Sequence, residues 1–391
     1  MSGTQPFDGS LQEDDPLLPG SAGMSESSSQ RIKRVSYSAG SHVQVIFQMY
    51  GSILPQVLPF CLSNVAWTVF VDVLRKKGIV DLTFQSSVGH SFMGIMVSFL
   101  VVTRSRISYN RFMEIRRHLG EAYRSCRELI QFTCIYTLTN ESAEAKIWRQ
   151  EVAYLTILML RVTMDALHWS STQKSLWEDL PEEIQPLPQE HHVRRVRQYL
   201  HGPRTLVDEN FRAPVLLSYN LREKIMRHEE PLGYKLPVNE YRDLLHFVTS
   251  FVTAFHGFRV LVFTPYPFPL VQMTRIFLFF WVYSLPLVLL CQLESLGDTI
   301  LLIFFMTFGF LGIEYVSMTL DDPFGDDPND FDDAGMAEIV YEDIYAFLYK
   351  CDGADVAIAL RDRIVKRYQQ GSALDNYRKD VRQDRFWTRT V

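Results

Sequence analysis

The chain has 391 residues, 47% hydrophobic and 13% aromatic, with 39 basic and 45 acidic side chains and a formal net charge of −6. Those averages would suit a soluble protein of two or three domains, but no Asp, Glu, Lys or Arg falls in 35–71, 82–103 or 276–293. Such runs, rich in Phe, Val, Leu and Ile, fit a bilayer, which takes about 20 apolar residues to cross ~30 Å of hydrocarbon; the acidic balance excludes nucleic acid as a partner, since phosphate binding needs a basic face.

Residues 1–34 are rich in Ser, Gly and Pro with few large apolar side chains, and read as a disordered tail. They show no apolar core of a secretory signal, and Asp8, Glu13, Asp14 and Asp15 count against a transit peptide. Glu13 and the Leu17-Leu18 pair have the spacing of an endomembrane sorting signal. The five cysteines, Cys61, Cys126, Cys134, Cys291 and Cys351, show no CxxC pair and read as isolated thiols.

A first membrane helix is expected over 52–74, broken by Pro55 and Pro59, and a second over 84–103. Residues 35–104 form the unit that holds both. The second ends at Arg104, with Arg106, Arg111, Arg116 and Arg117 following, which places that end in the cytoplasm. Arg75, Lys76 and Lys77 between the two helices then lie outside, against the rule but outnumbered. Residues 105–245 are polar and helical in pattern: 145–169 carries apolar residues at helical spacing between charges, as in a cytosolic bundle. Pro181, Pro186 and Pro188 mark a loop, and 210–227 begins another helix. His191, His192 and His201 are interleaved with Arg194, Arg195 and Arg197, which repel a metal ion, so they read as a solvated helix face.

Within 246–320 the apolar stretch is divided by Pro265, Pro267 and Pro269. Its first part, with the residues from 243, reads as a helix entering the protein interior, 270–291 as a third span and 299–320 as a fourth. Glu314, near the inner end of the fourth, requires a partner or water. The segment 321–333 holds seven aspartates and no base, and 334–391 reads as cytosolic helices and a tail.

Two stretches resemble a known family. Residues 91–109, SFMGIMVSFLVVTRSRISY, followed by Asn110, Arg111 and Phe112, closely resemble the second transmembrane helix of the bestrophins, where an SF…LVVTR pattern ends in an arginine. Tyr109, Arg111, Phe112, Glu114, Arg116 and Gly120 match the YxRFxExRxxxG run of the plant and bacterial branch. Residues 321–333, DDPFGDDPNDFDD, are similar to the acidic PFG segment after the last membrane helix of animal bestrophins. The resemblance covers roughly residues 35–350. It implies an all-α membrane protein with four transmembrane helices and a helical cytosolic domain per subunit, a homopentamer around one axial pore that passes chloride and other monovalent anions, with bicarbonate plausible.

In that family the pore neck is lined by three apolar residues on the second helix. Counted back from Arg104, they are Val88, Phe92 and Met96. Their i, i+4, i+8 spacing puts them on one stripe, which by periodicity alone fits helix packing equally well. A cytosolic aperture is expected near Phe251, with Phe247 and Phe255 one turn away, though these also suit a core. The family's calcium clasp maps to Thr319, Asp322, Asp327 and Asp330, with a neighbouring subunit contributing near His42; clustered carboxylates in a turn suit Ca²⁺, and equally suit a solvated acidic linker. The alternatives are a secondary transporter or a non-conducting membrane scaffold; no catalytic motif points to an enzyme. The expected location is the plasma membrane or an endomembrane, or alternatively the thylakoid. The seven aspartates of 321–333 contribute −7, so the remainder of the chain carries +1 and the acidity is local.

Overall fold

The computed structural model describes residues 35, 40–79, 82–84, 86–168, 212–264, 266–293, 295–324 and 327–370. The amino-terminal tail, the sorting-type motif, the Pro181–Pro188 loop and the three histidines around 191–201 lie outside the described residues. Among those described, the regular structure is entirely helical.

The helices, in chain order, are α1 (His42–Phe47), α2 (Leu54–Lys76), α3 (Val88–Tyr136) and α4 (Ala143–His168). After the undescribed stretch come α5 (Ala213–Met226), α6 (Glu229–Leu232), α7 (Val238–Phe263) and α8 (Phe268–Gln292). The last are α9 (Leu296–Asp321), α10 (Asp333–Asp352) and α11 (Ala354–Gln370).

The amino-terminal part of α3 packs with α2, α8 and α9 around a core of Val57, Cys61, Val97, Val101, Leu278, Trp281, Val282, Leu285, Ile303 and Leu311. Where every neighbour is apolar, polar side chains set the register. Buried Asn64 donates from Nδ2 to the Val282 carbonyl at 3.1 Å and to Thr307 Oγ1 at 2.8 Å, tying α2 to α8 and α9. Gly94 lets α3 approach α8, since a Cβ there would lie 3.1 Å from the Trp281 indole, whereas Gly89 faces open space. Pro55 stands in the first turn of α2, where no amide donor is lost, and Pro59 is absorbed inside the helix.

The second span does not stop at its arginines. α3 runs unbroken for 49 residues, about 73 Å at the α-helical rise, so only its first part fits a bilayer and the rest projects beyond it. α7 lies antiparallel along the projecting half: Tyr136 donates to Asp243 at 3.2 Å, Phe132 stacks on Phe247 at 5.3 Å, and Gly257 meets the His118 ring. At the far end Arg111 donates to the carbonyls of Leu261 and Thr264 at 2.8 and 2.7 Å, capping α7. Among the described residues, five helices, α7 included, are long and apolar enough to cross a membrane; this register sets α7 beside residues 111–136 of α3.

α4 is buried on nearly every side from Val152 to Leu160, and so is the central rod of its bundle rather than a one-faced helix. Arg149 fixes it in place. Its guanidinium donates to the carbonyls of Thr137 and Asn140, each at 3.0 Å, and to the Asp352 carboxylate at 2.8 Å, joining the ends of α3 and α10.

Candidate functional site

The buried face of α3 carries Val97, Val101, Arg104 and Ser108 against α8 and α9. At 3.6 residues per turn, the opposite face holds Val88, Phe92 and Met96, which are 61%, 69% and 41% exposed. Ile95 and Phe99 are exposed beside them. The three expected neck residues thus share one open, apolar stripe on a helix whose other side is fixed in a core. The stripe continues into a groove of about 740 Å³ whose lining includes Phe99, Thr103, Arg106 and Asn110.

At the level where the stripe turns polar, a charge network ties α3 to its neighbours. Arg104, 1% exposed, donates from Nε to Glu314 Oε2 at 2.9 Å and from Nη2 to Asp321 Oδ2 at 3.0 Å. Arg275 Nε donates to Glu314 Oε1 at 2.9 Å, and Ser108 Oγ to Asp321 Oδ1 at 2.8 Å. The Arg104 guanidinium also lies 5.1 Å from the centre of the Tyr266 ring. Glu314 therefore has the partners that its depth demanded. Two arginines face two carboxylates, so the network is neutral and fixes the rotation of α3 about its axis.

The expected aperture residues have a different placement. Phe251 and Phe255 are each 1% exposed on the buried face of α7, Phe255 edge-on to Phe258 at 5.6 Å, and Phe247 is half-buried against Phe132. In this packing they are core. The open stripe of α7 carries Val238, Arg242, His246, Thr249, Thr253, His256 and Val260 instead.

The described residues of the acidic segment form a folded turn. Asp330, buried, accepts from the Asp327 amide at 2.6 Å, and the Phe331 amide donates to the Pro323 carbonyl at 3.0 Å. Asn329 Nδ2 donates to the Gly51 carbonyl at 3.0 Å and the Val35 amide to the Pro328 carbonyl at 3.2 Å, so the residues before α2 dock on the turn. Thr319 Oγ1 donates back to the Tyr315 carbonyl at 3.2 Å, while His42 and Asp322 are exposed. Oxygen donors in such a turn suit a hard cation. Among the described residues, however, no three His, Cys, Asp or Glu side chains gather to hold a metal.

The sequence model described as Bacterial/Fungal Bestrophin protein matches residues 33–345. The chain belongs to the bestrophin family. A voltage-dependent anion channel-forming protein of Ralstonia nicotianae is 27% identical over 286 residues, covering 72% of this bestrophin and 83% of the relative. One of the same description from Synechocystis is 21% identical over 289 residues, 73% and 85% of the two chains. The crystal structure of a bacterial bestrophin homologue from Klebsiella pneumoniae shares the fold with a TM-score of 0.57 at 19% identity, over 75% of this bestrophin and 98% of that chain. The open stripe of this bestrophin carries the three residues expected of a neck and continues through Phe99, Thr103, Arg106 and Asn110, which the sequence reading does not place on it. The signal was there, because the spacing of three or four residues continues past Met96.

Proposed function

We propose that this protein is an anion channel whose conducting path is lined by the open stripe of α3. The observation that carries the reading is the pairing of a buried face, locked by Arg104 and Glu314, with an opposite apolar face that the chain leaves uncovered. Around a fivefold axis, as in the assembly we infer, Val88, Phe92 and Met96 make three apolar rings. A neck of that kind gates by dewetting, and the positive edges of the Phe92 rings tolerate a partly dehydrated anion. Met96 adds a flexible thioether to the innermost ring. Four spans, α2, the first part of α3, α8 and α9, cross the bilayer, with α7 beneath them; a second constriction formed by α7 belongs to its open stripe rather than to Phe251. Chloride is the first anion to test, with bicarbonate next.

Calcium regulation is part of this proposal. Asp327 and Asp330 would hold the ion together with backbone carbonyls and a neighbouring subunit, where it would add rigidity to the turn against which residues 35 and 51 dock.

A planar-bilayer recording of purified protein under a NaCl gradient tests the channel. Unitary currents reversing near the chloride equilibrium potential support it. Reversal near the sodium potential overturns it, a flux without unitary currents indicates a carrier, and silence indicates a scaffold. The membrane is a plasma membrane or endomembrane, with the thylakoid as the alternative that fractionation of the native cell distinguishes.

A further inference from the structure

The open stripe of α3 has a charge pattern that its apolar neck does not explain. From Phe92 it continues through Met96, Phe99, Thr103, Arg106, Asn110, Glu114, Arg117, Glu121, Arg124 and Glu128, every step three or four residues. In the outer part of this series cations and acids alternate and satisfy one another. Arg117 lies 3.8 Å from Glu114, and Arg124 lies 2.9 Å from Glu128 and 4.0 Å from Glu121.

Arg106 departs from that pattern. The positions one turn to either side, Val102, Thr103, Tyr109 and Asn110, offer no carboxylate. No acid of any described residue lies within ion-pair distance of it, and its side chain is exposed in the groove with Thr103 and Asn110. The nearest acid along the stripe, Glu114, is eight residues and about 12 Å away, beyond the ~8 Å screening length of physiological salt, and is already paired with Arg117. Arg104, two residues before, spends its charge on Glu314 and Asp321. One uncompensated cation therefore stands where the apolar stripe ends, flanked by a hydroxyl and an amide that can donate to an anion.

We infer that Arg106, with Thr103 and Asn110, forms an anion site at the inner mouth of the neck that concentrates monovalent anions and sets charge selectivity. The inference rests on the channel reading, since it takes the stripe to face the conducting path. An apolar constriction discriminates poorly between signs of charge; a guanidinium at its mouth supplies the sign. Anions leaving the dewetted neck meet a fixed positive potential, and cations approaching from the cytosol are repelled. Lines of one-signed charge in a low-dielectric mouth raise local counter-ion concentration by about tenfold or more. The site binds weakly because the groove is open to water, so ions also leave it, as conduction requires.

The test is a bilayer recording of the full chain as wild type, Arg106→Gln, Arg106→Glu and Arg106→Lys, each in about 0.1 M and about 1 M NaCl, where screening lengths are about 10 and 3 Å. The expected result is a conductance loss of roughly twofold for Arg106→Gln in the dilute solution, larger for Arg106→Glu, with a lowered chloride-to-sodium permeability ratio. Arg106→Lys retains wild-type behaviour, and in concentrated salt all four converge, which also shows that the variant pores are intact. Anion-selective wild-type currents that Arg106→Gln leaves unchanged overturn the site alone. A loss equal at both salt concentrations overturns it too, because that marks a packing role or an ion pair with a neighbouring subunit. Wild-type currents carried by cations, or absent, overturn the channel reading itself.

Discussion

Arg104 and Glu314, 210 residues apart in sequence, meet with Nε 2.9 Å from Oε2 at the buried junction of α3 and α9. Their pairing aims the opposite face of α3, so the ion pair and the neck are two sides of one rotational setting. Removing one member unbalances a buried charge network, at a cost of up to about 3–5 kcal/mol. Glu314→Gln replaces the carboxylate that Arg104 and Arg275 share by a neutral amide and leaves Arg104 with Asp321 as its one carboxylate, and Arg104→Gln leaves Glu314 with Arg275 alone. Thermal unfolding of the detergent-solubilised protein is expected to show a large loss of Tm for each. The double variant should lose less than the two single losses together, and strict additivity would show that the contact is energetically idle.

The thiols give a pH-dependent prediction outside the membrane. Cys351 is hydrogen-bonded by Cys134 and lies near Arg149; both influences favour its thiolate, against the opposing effect of burial, so its pKa falls below the ordinary thiol value. Hydrogen bonding to Cys351 and then burial push Cys134 up, and burial does the same for Cys126. The thiolate is the nucleophile, so a depressed pKa means reactivity that appears at lower pH. Iodoacetamide is therefore expected to alkylate Cys351 before Cys126 and Cys134, with the rate rising as pH climbs through a midpoint below that of a free thiol. Peptide mapping after timed alkylation reads the order, and first modification at Cys126 or Cys134 would refute it.

Calcium has its own check. In the proposed clasp, calcium would be shared between Asp327, Asp330 and a neighbouring subunit, so its effect is expected to depend on the assembled protein and on these two residues. Calcium is expected to raise the Tm of the wild-type assembly, and Asp327→Asn to abolish most of that rise while leaving the calcium-free Tm close to wild type, since the hydrogen bond that Asp327 donates to Asp330 comes from its backbone amide. A Tm indifferent to calcium in both proteins removes the ion from the mechanism and leaves the turn held by its own hydrogen bonds.

What could be read from the sequence followed what a bilayer demands locally. Apolar runs interrupted only by Asp72 and Glu314 marked α2 at 52–74 against Leu54–Lys76, and α9 at 299–320 against Leu296–Asp321, because the cost of a charge in hydrocarbon is felt residue by residue. The same rule hid the length of α3. Arg104 ends a membrane run, yet helical hydrogen bonding continues through it to Tyr136, since arginine is a good helix former and the helix leaves the membrane without breaking. Periodicity also shows that a face exists without showing which way it points. Phe247, Phe251 and Phe255 share a stripe, and only the contact of α7 with α3 turns that stripe inward. The Arg104–Glu314 pairing had half a signal, a buried acid in want of a partner, and no local clue to which cation answered it.

Phe92 provides the sharpest test of the neck, because its side chain is the most exposed of the three proposed ring residues and contributes least to the chain's own core. Phe92→Ala removes an aromatic ring without opening a cavity between α3, α8 and α9, so folding is expected to survive with stability close to wild type, as for exposed substitutions generally. In a dewetting gate, the width and polarity of the narrowest ring set the barrier to water and hence to ions. In the proposed pentamer, replacing each benzyl group by a methyl group widens that ring, which predicts larger unitary currents and a higher open probability in bilayer recordings, with weaker discrimination among anions of different hydration. Phe92→Tyr keeps the width and adds a hydroxyl, so it should raise open probability with little gain in unitary conductance. If Phe92→Ala folds with an unchanged Tm and conducts as wild type does, the stripe does not line the path, and the exposed face of α3 is a packing surface.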